Sequence, residues 1–173
     1  MNSLIPTQII DFHVHLFPDP LFDAIWKFFS EQYKWQIIHN KYSQESIDYL
    51  KNKGVSRIIY SNYAHKKGVA KALNEWNIDT LNRNENLYCF AAFHPDDEDC
   101  LQMAKSVLDH PRVIGFKLQH LVQDFFPADE RLFPLYEAVM EKNKRILFHV
   151  GTGPVANKYV GYKNFIPLLH RYP

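Results

Sequence analysis

Strand-like and helix-like segments alternate from one end of the chain to the other, and no other feature limits the fold as much. The first strand-like run, Ile9 to Leu16, carries β-branched and aromatic residues at alternate positions. After Pro18 and Pro20, an amphipathic stretch with Leu21, Phe22, Ile25, Trp26 and Phe29 at helical spacing reads as a helical insertion over about 20–40. Ser43 stands as the N-cap of a helix carrying Ile47 and Leu50, which ends near Gly54. Further strands are expected at Val55–Tyr60, Leu87–Phe93, Val113–Leu118 and Arg145–Val150. Between them lie helices marked by Val69, Leu73 and Trp76, then by Leu101, Ala104 and Leu108, and then by Tyr136, Val139 and Met140 behind Pro134. A last helix is expected from about Asn164 to His170. The acids Asp96, Asp97, Glu98 and Asp99 suit the positive end of the helix after them.

Such alternation implies parallel strands joined by right-handed crossovers, in either a doubly wound sheet or a (β/α)8 barrel. The two phosphate-binding glycine loops most used by open sheets are missing, which favours the barrel. With 46% apolar residues the 173-residue chain has enough material for a core, so residues 1–173 are read as a single domain. Five strands in this length extrapolate to eight in roughly 250–280 residues, close to a usual barrel. The expectation is therefore a (β/α)8 TIM barrel cut short after five strands, with two sheet edges that invite formation of a homo-oligomer.

Charge and cysteine usage exclude several classes. Twenty basic and 19 acidic residues are interspersed, so no basic patch offers itself to nucleic acid. The only cysteines, Cys89 and Cys100, have neither metal-ligand nor disulfide-scaffold spacing. Met1 to Gln8 lacks a leader pattern and no apolar run is long enough for a membrane span, so a cytoplasmic protein acting on a small-molecule substrate is expected.

The chemistry sits at the strand ends. Strict alternation places Asp11, His13 and His15 on one face and Ile10, Phe12, Val14 and Leu16 on the other, against the helices. Two imidazoles then point to the barrel axis at the C-terminal end, where barrel active sites are built, and a divalent cation suits their neutral nitrogens. In the fifth strand Ile146, Phe148 and Val150 form the apolar face and His149 the other, supplying a third candidate ligand. In the fourth, Lys117 shares a face with Val113 and Gly115, opposite Ile114, Phe116 and Leu118. Desolvation there favours the neutral amine, so Lys117 is the candidate catalytic side chain: for proton transfer, for binding an oxyanion when charged, or as a carbamylated bridge between two metals. His94 after the third strand, His120 with Gln119 in the loop after the fourth, and Trp26 in the insertion are candidates for substrate binding. A turn, a loop and simple packing are the competing readings of these positions.

Three strings together resemble a known family. Ile10-Asp11-Phe12-His13-Val14-His15-Leu16-Phe17-Pro18, Gly115-Phe116-Lys117-Leu118-Gln119 and Leu147-Phe148-His149-Val150-Gly151-Thr152-Gly153 are similar to strands one, four and five of the amidohydrolase superfamily. They most resemble its amidohydrolase-related branch, which includes aminocarboxymuconate-semialdehyde decarboxylase. The resemblance implies a barrel with one or two divalent metals, zinc being the first expectation, and matches His13, His15 and His149 to ligand positions. The family's histidine on strand six and aspartate on strand eight have no counterpart before Pro173, and His170 substitutes for neither.

The reaction implied by the resemblance is attack of metal-activated water on an amide, ester or lactone bond. The alternatives are non-oxidative decarboxylation of an aromatic or unsaturated acid on the same metal, a phosphoesterase barrel, and a catalytically incomplete fragment. A chain that stops at Pro173 is expected to bind metal weakly and to be inactive, with the acid–base group in the missing part.

Overall fold

The computed structural model describes residues 8–153 and 156–173. Five strands form one parallel sheet: β1 (Ile9–His15), β2 (Val55–Ser61), β3 (Leu87–Ala92), β4 (Val113–Leu118) and β5 (Arg145–Phe148). Their spatial order is β1-β2-β3-β4-β5. A doubly wound sheet reverses direction at a switch point and so cannot have this order, whereas each barrel strand pairs with its sequence neighbours. The choice left open by the alternation is thereby settled as five strands of a (β/α) barrel.

Helices α1 (Asp19–Tyr33), α2 (Ser43–Asn52), α3 (Ala70–Arg83), α4 (Cys100–Leu108), α5 (His120–Gln123), α6 (Phe133–Glu141) and α7 (Ile166–Arg171) fill the connections. None of the described helices is long and apolar enough to cross a membrane. The core lies between sheet and helices, where Ile58, Tyr60, Leu87, Cys89, Ala91, Val113, Phe116 and Leu118 meet Ile47, Leu81, Leu108, Leu135 and Val139. A satellite cluster of Phe17, Phe22, Ala64, Ala70 and Leu73 seats the start of α1 beside the ends of β1 and β2. The cysteines are free, Cys89 buried and Cys100 half-buried.

Several expectations are corrected. Strict alternation fails in β1: Asp11 pairs with Ile58 but Val14 pairs with Tyr60, so three steps on β1 match two on β2. This bulge gives one residue no partner and resets which side the chain faces. Ile9 and Val14 consequently pack on the core, whereas Ile10 and Phe12 lie on the other face and remain 49% and 54% exposed. Phe12 meets Phe90 edge-on there, at 5.9 Å between ring centres. A second irregularity, with Cys89 opposite Val113 and Phe90 opposite Gly115, puts Val113 in the core rather than beside Lys117. Helix α2 begins at Ser43 with Tyr42 as its cap, because the Ser43 hydroxyl is already used twice: it accepts from Phe17 N (3.1 Å) and donates to Phe17 O (2.8 Å). Met140 is exposed, the buried face of α6 being Leu135, Tyr136, Ala138 and Val139. Val150 is 40% exposed and lies beyond β5, and the residues from His120 on form a short helix, not a loop. The reading of the N-terminus falls almost wholly outside the described residues.

Candidate metal centre

Buried polar groups hold the C-terminal ends of the strands in place. Asn62, just past β2, donates to Leu16 O (3.3 Å) and to Asn77 Oδ1 (2.7 Å), and Asn77 Nδ2 returns a bond to Asn62 Oδ1 (3.1 Å). Asn74 Nδ2 donates to Ala92 O (2.8 Å), while its Oδ1 accepts from Ala92 N (2.9 Å). Asn74 of α3 thus supports the end of β3 directly, and Asn77 holds Asn62, which supports the residue after β1, where backbone groups are costly to leave unpaired. Gln123 does the same across three connections: its Nε2 donates to Ala64 O (2.9 Å) and Phe93 O (2.8 Å), and its Oε1 accepts from Gln119 N (2.7 Å). Nothing in the local pattern marked these amides, since helical asparagine and glutamine usually face water.

His13 and His15 lie side by side, their ring centres 5.3 Å apart and the planes at 77°. The bulge is closed by Asp11, whose Oδ1 accepts from His13 N (3.1 Å). His15 Nδ1 sits 3.3 Å from both Ser61 O and Ser61 Oγ. Donation from Nδ1 to the carbonyl leaves the lone pair on Nε2, the tautomer that metal-binding histidines adopt. Surrounding protein, then the charge of Lys117 and then His13, hold the pKa of His15 down at about 4, so the ring is neutral at pH 7.

Lys117 pairs in register with Ala92, on the opposite side from the core residues Phe116 and Leu118. It is only 2% exposed, and burial lowers the pKa of its ammonium to about 8. Among the described residues no carboxylate lies within ion-pair distance of it. His149 follows Phe148 and extends the ladder by donating its N–H to Leu118 O (3.1 Å). Burial, then the charge of Lys117, lowers the pKa of its imidazole. His149 Nε2 is buried without a hydrogen-bond partner among the described residues. The electrostatic influence of Lys117 on His15 and His149, and of His13 on both, sets these four side chains in one neighbourhood.

The donor chemistry fits a divalent cation: two imidazoles from one strand, one of them held through Nδ1 by Ser61, and a third whose buried Nε2 has no hydrogen-bond partner among the described residues. The sphere is not preassembled, however, since no three His, Cys, Asp or Glu side chains among the described residues are close enough together to share an ion.

His120 borders this group, since the charges of Lys117 and His149 act on it, whereas His94 and Trp26 have other neighbours. His94 is buried in the turn after β3, where Nδ1 accepts from Asp96 N (3.3 Å), and the charges acting on it are Asp97, Asp96, Arg131 and Lys67. His120 is fully buried on the helix side: Nδ1 bonds Phe125 O (2.9 Å), the ring stacks on Phe148 at 5.7 Å, and Nε2 has no partner among the described residues. Trp26 stacks on Phe22 (5.3 Å) and meets Tyr42 at a tilt (5.2 Å) in the satellite cluster. Sequence reasoning passed over Tyr63, whose ring stands edge-on to His15 at 6.4 Å and to Phe17 at 5.6 Å. A cleft of about 950 Å³ between α3 and α4, lined by Ile78, Met103 and Val107 among charged side chains, contains none of the expected site residues.

No protein-family model matches the chain, and no curated protein matches it in sequence. Solved structures do match, and they show the fold to be that of a (β/α) barrel. An amidohydrolase II superposes with a TM-score of 0.68 at 16% identity, over 94% of this chain and 56% of its own. The 5-carboxyvanillate decarboxylase of Sphingomonas paucimobilis gives 0.68 at 14% identity, over 97% and 65%. That of Novosphingobium aromaticivorans, solved with manganese and 4-hydroxy-3-methoxy-5-nitrobenzoic acid, gives 0.65 at 12% identity, over 95% and 54%. The chain spans between about half and two thirds of the length of these neighbours.

Proposed function

We propose that the chain is a single-domain portion of an amidohydrolase-superfamily enzyme, in which His13, His15 and His149 hold a divalent cation used to hydrolyse an amide, ester or lactone bond of a small molecule. The observation that carries this reading is the buried, unpartnered Nε2 of His149 in the neighbourhood of the His13–His15 pair. Burying an imidazole nitrogen without a partner costs free energy that a metal–nitrogen bond recovers. A bound divalent cation supplies Lewis acidity towards a carbonyl and brings the pKa of a water molecule towards 7. Lys117 provides a proton-transfer group that titrates near neutrality, and Ser61 fixes the ring of His15. Manganese, from the neighbour, and zinc, from the ligand types, are the two metals to examine.

Lys117 favours a second reading, decarboxylation of a small carboxylic acid. A buried ammonium with no described carboxylate partner is complementary to a substrate carboxylate, and two of the structural neighbours are 5-carboxyvanillate decarboxylases. The experiment is metal analysis of the purified protein beside His13→Ala and His149→Ala. Each substitution is expected to lower bound manganese or zinc by tenfold or more, as about 10–100-fold losses result even from changes around the ligands. Full metal retention in both variants refutes the cage. Release of carbon dioxide without uptake of oxygen from labelled water separates decarboxylation from hydrolysis.

A further inference from the structure

Among the groups around the candidate metal centre, Tyr63 is held most firmly and is used least. The residues before and after it are fixed by side-chain bonds from other elements. Asn62 is bound to Leu16 O and Asn77, and Ala64 O accepts from Gln123. Ser61, two residues before Tyr63, contacts His15 through both its carbonyl and its hydroxyl. The ring of Tyr63 is half-buried, packed edge-on against His15 and Phe17 and joined to the satellite core.

Half-buried, the Tyr63 ring keeps its hydroxyl accessible, so the group does not require a protein partner. Tyr63 has none among the described residues: no hydrogen bond and no neighbouring charge acts on its phenol, only burial. By contrast, Tyr42 donates to Asp23, Tyr60 to Asn77 O and Tyr136 to Pro127 O. A rigid donor with no protein acceptor, next to a ring placed to ligate a metal, is preorganised for an external acceptor.

We infer that Tyr63 contacts the substrate, its hydroxyl donating a hydrogen bond to an oxygen of the small molecule bound at the His13–His15 centre. The inference rests on the metal-centre reading and adds to it a residue and a substrate requirement: an oxygen acceptor within reach of the end of β2.

Benzoate, a planar carboxylate, is the probe, titrated calorimetrically into the manganese-loaded protein and into Tyr63→Phe, with the manganese stoichiometry of both measured first. The ring and its packing survive in Tyr63→Phe, so equal manganese stoichiometry and an unchanged melting temperature are expected. Benzoate affinity is expected to fall roughly tenfold, the worth of one hydrogen bond to a charged acceptor. Equal benzoate affinity in the two proteins, or no benzoate binding by a manganese-loaded wild type, overturns the role of Tyr63 and leaves the metal centre standing. Failure of the wild type to take up manganese even with the metal in large excess overturns the metal centre and the inference together.

Discussion

Replacing Gly115 with alanine probes the contact between the two strands that carry Lys117 and His149. Gly115 lies opposite Arg145, and an ideal Cβ built on it overlaps Arg145 O, with Arg145 C at 2.6 Å and Arg145 N at 2.9 Å. Unstrained carbon contacts need about 3.5–4.0 Å. All three obstructing atoms are backbone, so no side chain can turn aside, and β5 must move away from β4. The pairing has only four register pairs, Gly115 with Arg145 to Leu118 with Phe148. Overpacking costs about 1–3 kcal/mol, and a buried ladder group left unpaired adds about 1–3 kcal/mol, so a loss of about 2–6 kcal/mol is expected. That is a large share of the roughly 5–15 kcal/mol by which domains are stable. Gly54→Ala is the control: Gly54 has φ +87° with nothing within 4 Å of the added carbon, so only left-handed strain of about 1–2 kcal/mol applies. Urea unfolding followed by circular dichroism measures both. With a slope of about 2 kcal/mol/M, Gly115→Ala should move the midpoint down by about 1–3 M. A Gly115→Ala protein no less stable than Gly54→Ala would show that β4 and β5 do not approach as described.

Two further predictions concern pH in the metal-free protein. Lys117 is lowered from 10.5 to about 8, so between these values the unfolded chain binds more protons and stability rises with pH; below pH 8 the buried ammonium costs about 3 kcal/mol. Lys117→Met should therefore raise the urea midpoint at pH 7 and remove the rise between pH 8 and 10, and a less stable variant at pH 7 contradicts this. His120, lowered from 6.5 to about 4 by burial, acts on the acid side: the unfolded chain binds the extra proton, so stability falls by about 3 kcal/mol as pH drops from 6.5 to 4. His120→Phe should reduce that slope, leaving the equal share that His15 contributes, and an unchanged acid slope in urea titrations at pH 4, 5 and 6.5 would place the sensitivity elsewhere.

The residues that revealed the fold were those whose role is local. Val55 to Tyr60 and Val113 to Leu118 read as strands because β-branched and aromatic runs between turn residues report a strand directly, and both are strands. The His13–His15 pair was legible for the same reason, as neighbours on one strand. The bulge between Asp11 and Val14 was not, because it exists only in the register with β2. It moved Ile10 and Phe12 to the face away from the helices while keeping the two imidazoles adjacent. Ser43 looked like a cap because its type suits one, but a partner 26 residues away, Phe17, claims its hydroxyl. Asn74, Asn77 and Gln123 are bound to partners outside their own helices, and Tyr63 gains its interest from what surrounds it. None of these could be seen without the fold.

The order β1-β2-β3-β4-β5 bears on how the chain acquires its structure. Within this sheet each strand is bonded to its sequence neighbours, so none of these four pairings waits for a distant part of the sequence. Assembly can run vectorially, one strand and its helices at a time as the polypeptide leaves the ribosome, with the loop-closure cost met in small instalments. The Asn74 and Asn77 amides fasten β1, β2 and β3 before β4 is needed. A pause in synthesis after α3 and β3 should therefore leave a three-stranded intermediate already carrying His13 and His15 in place.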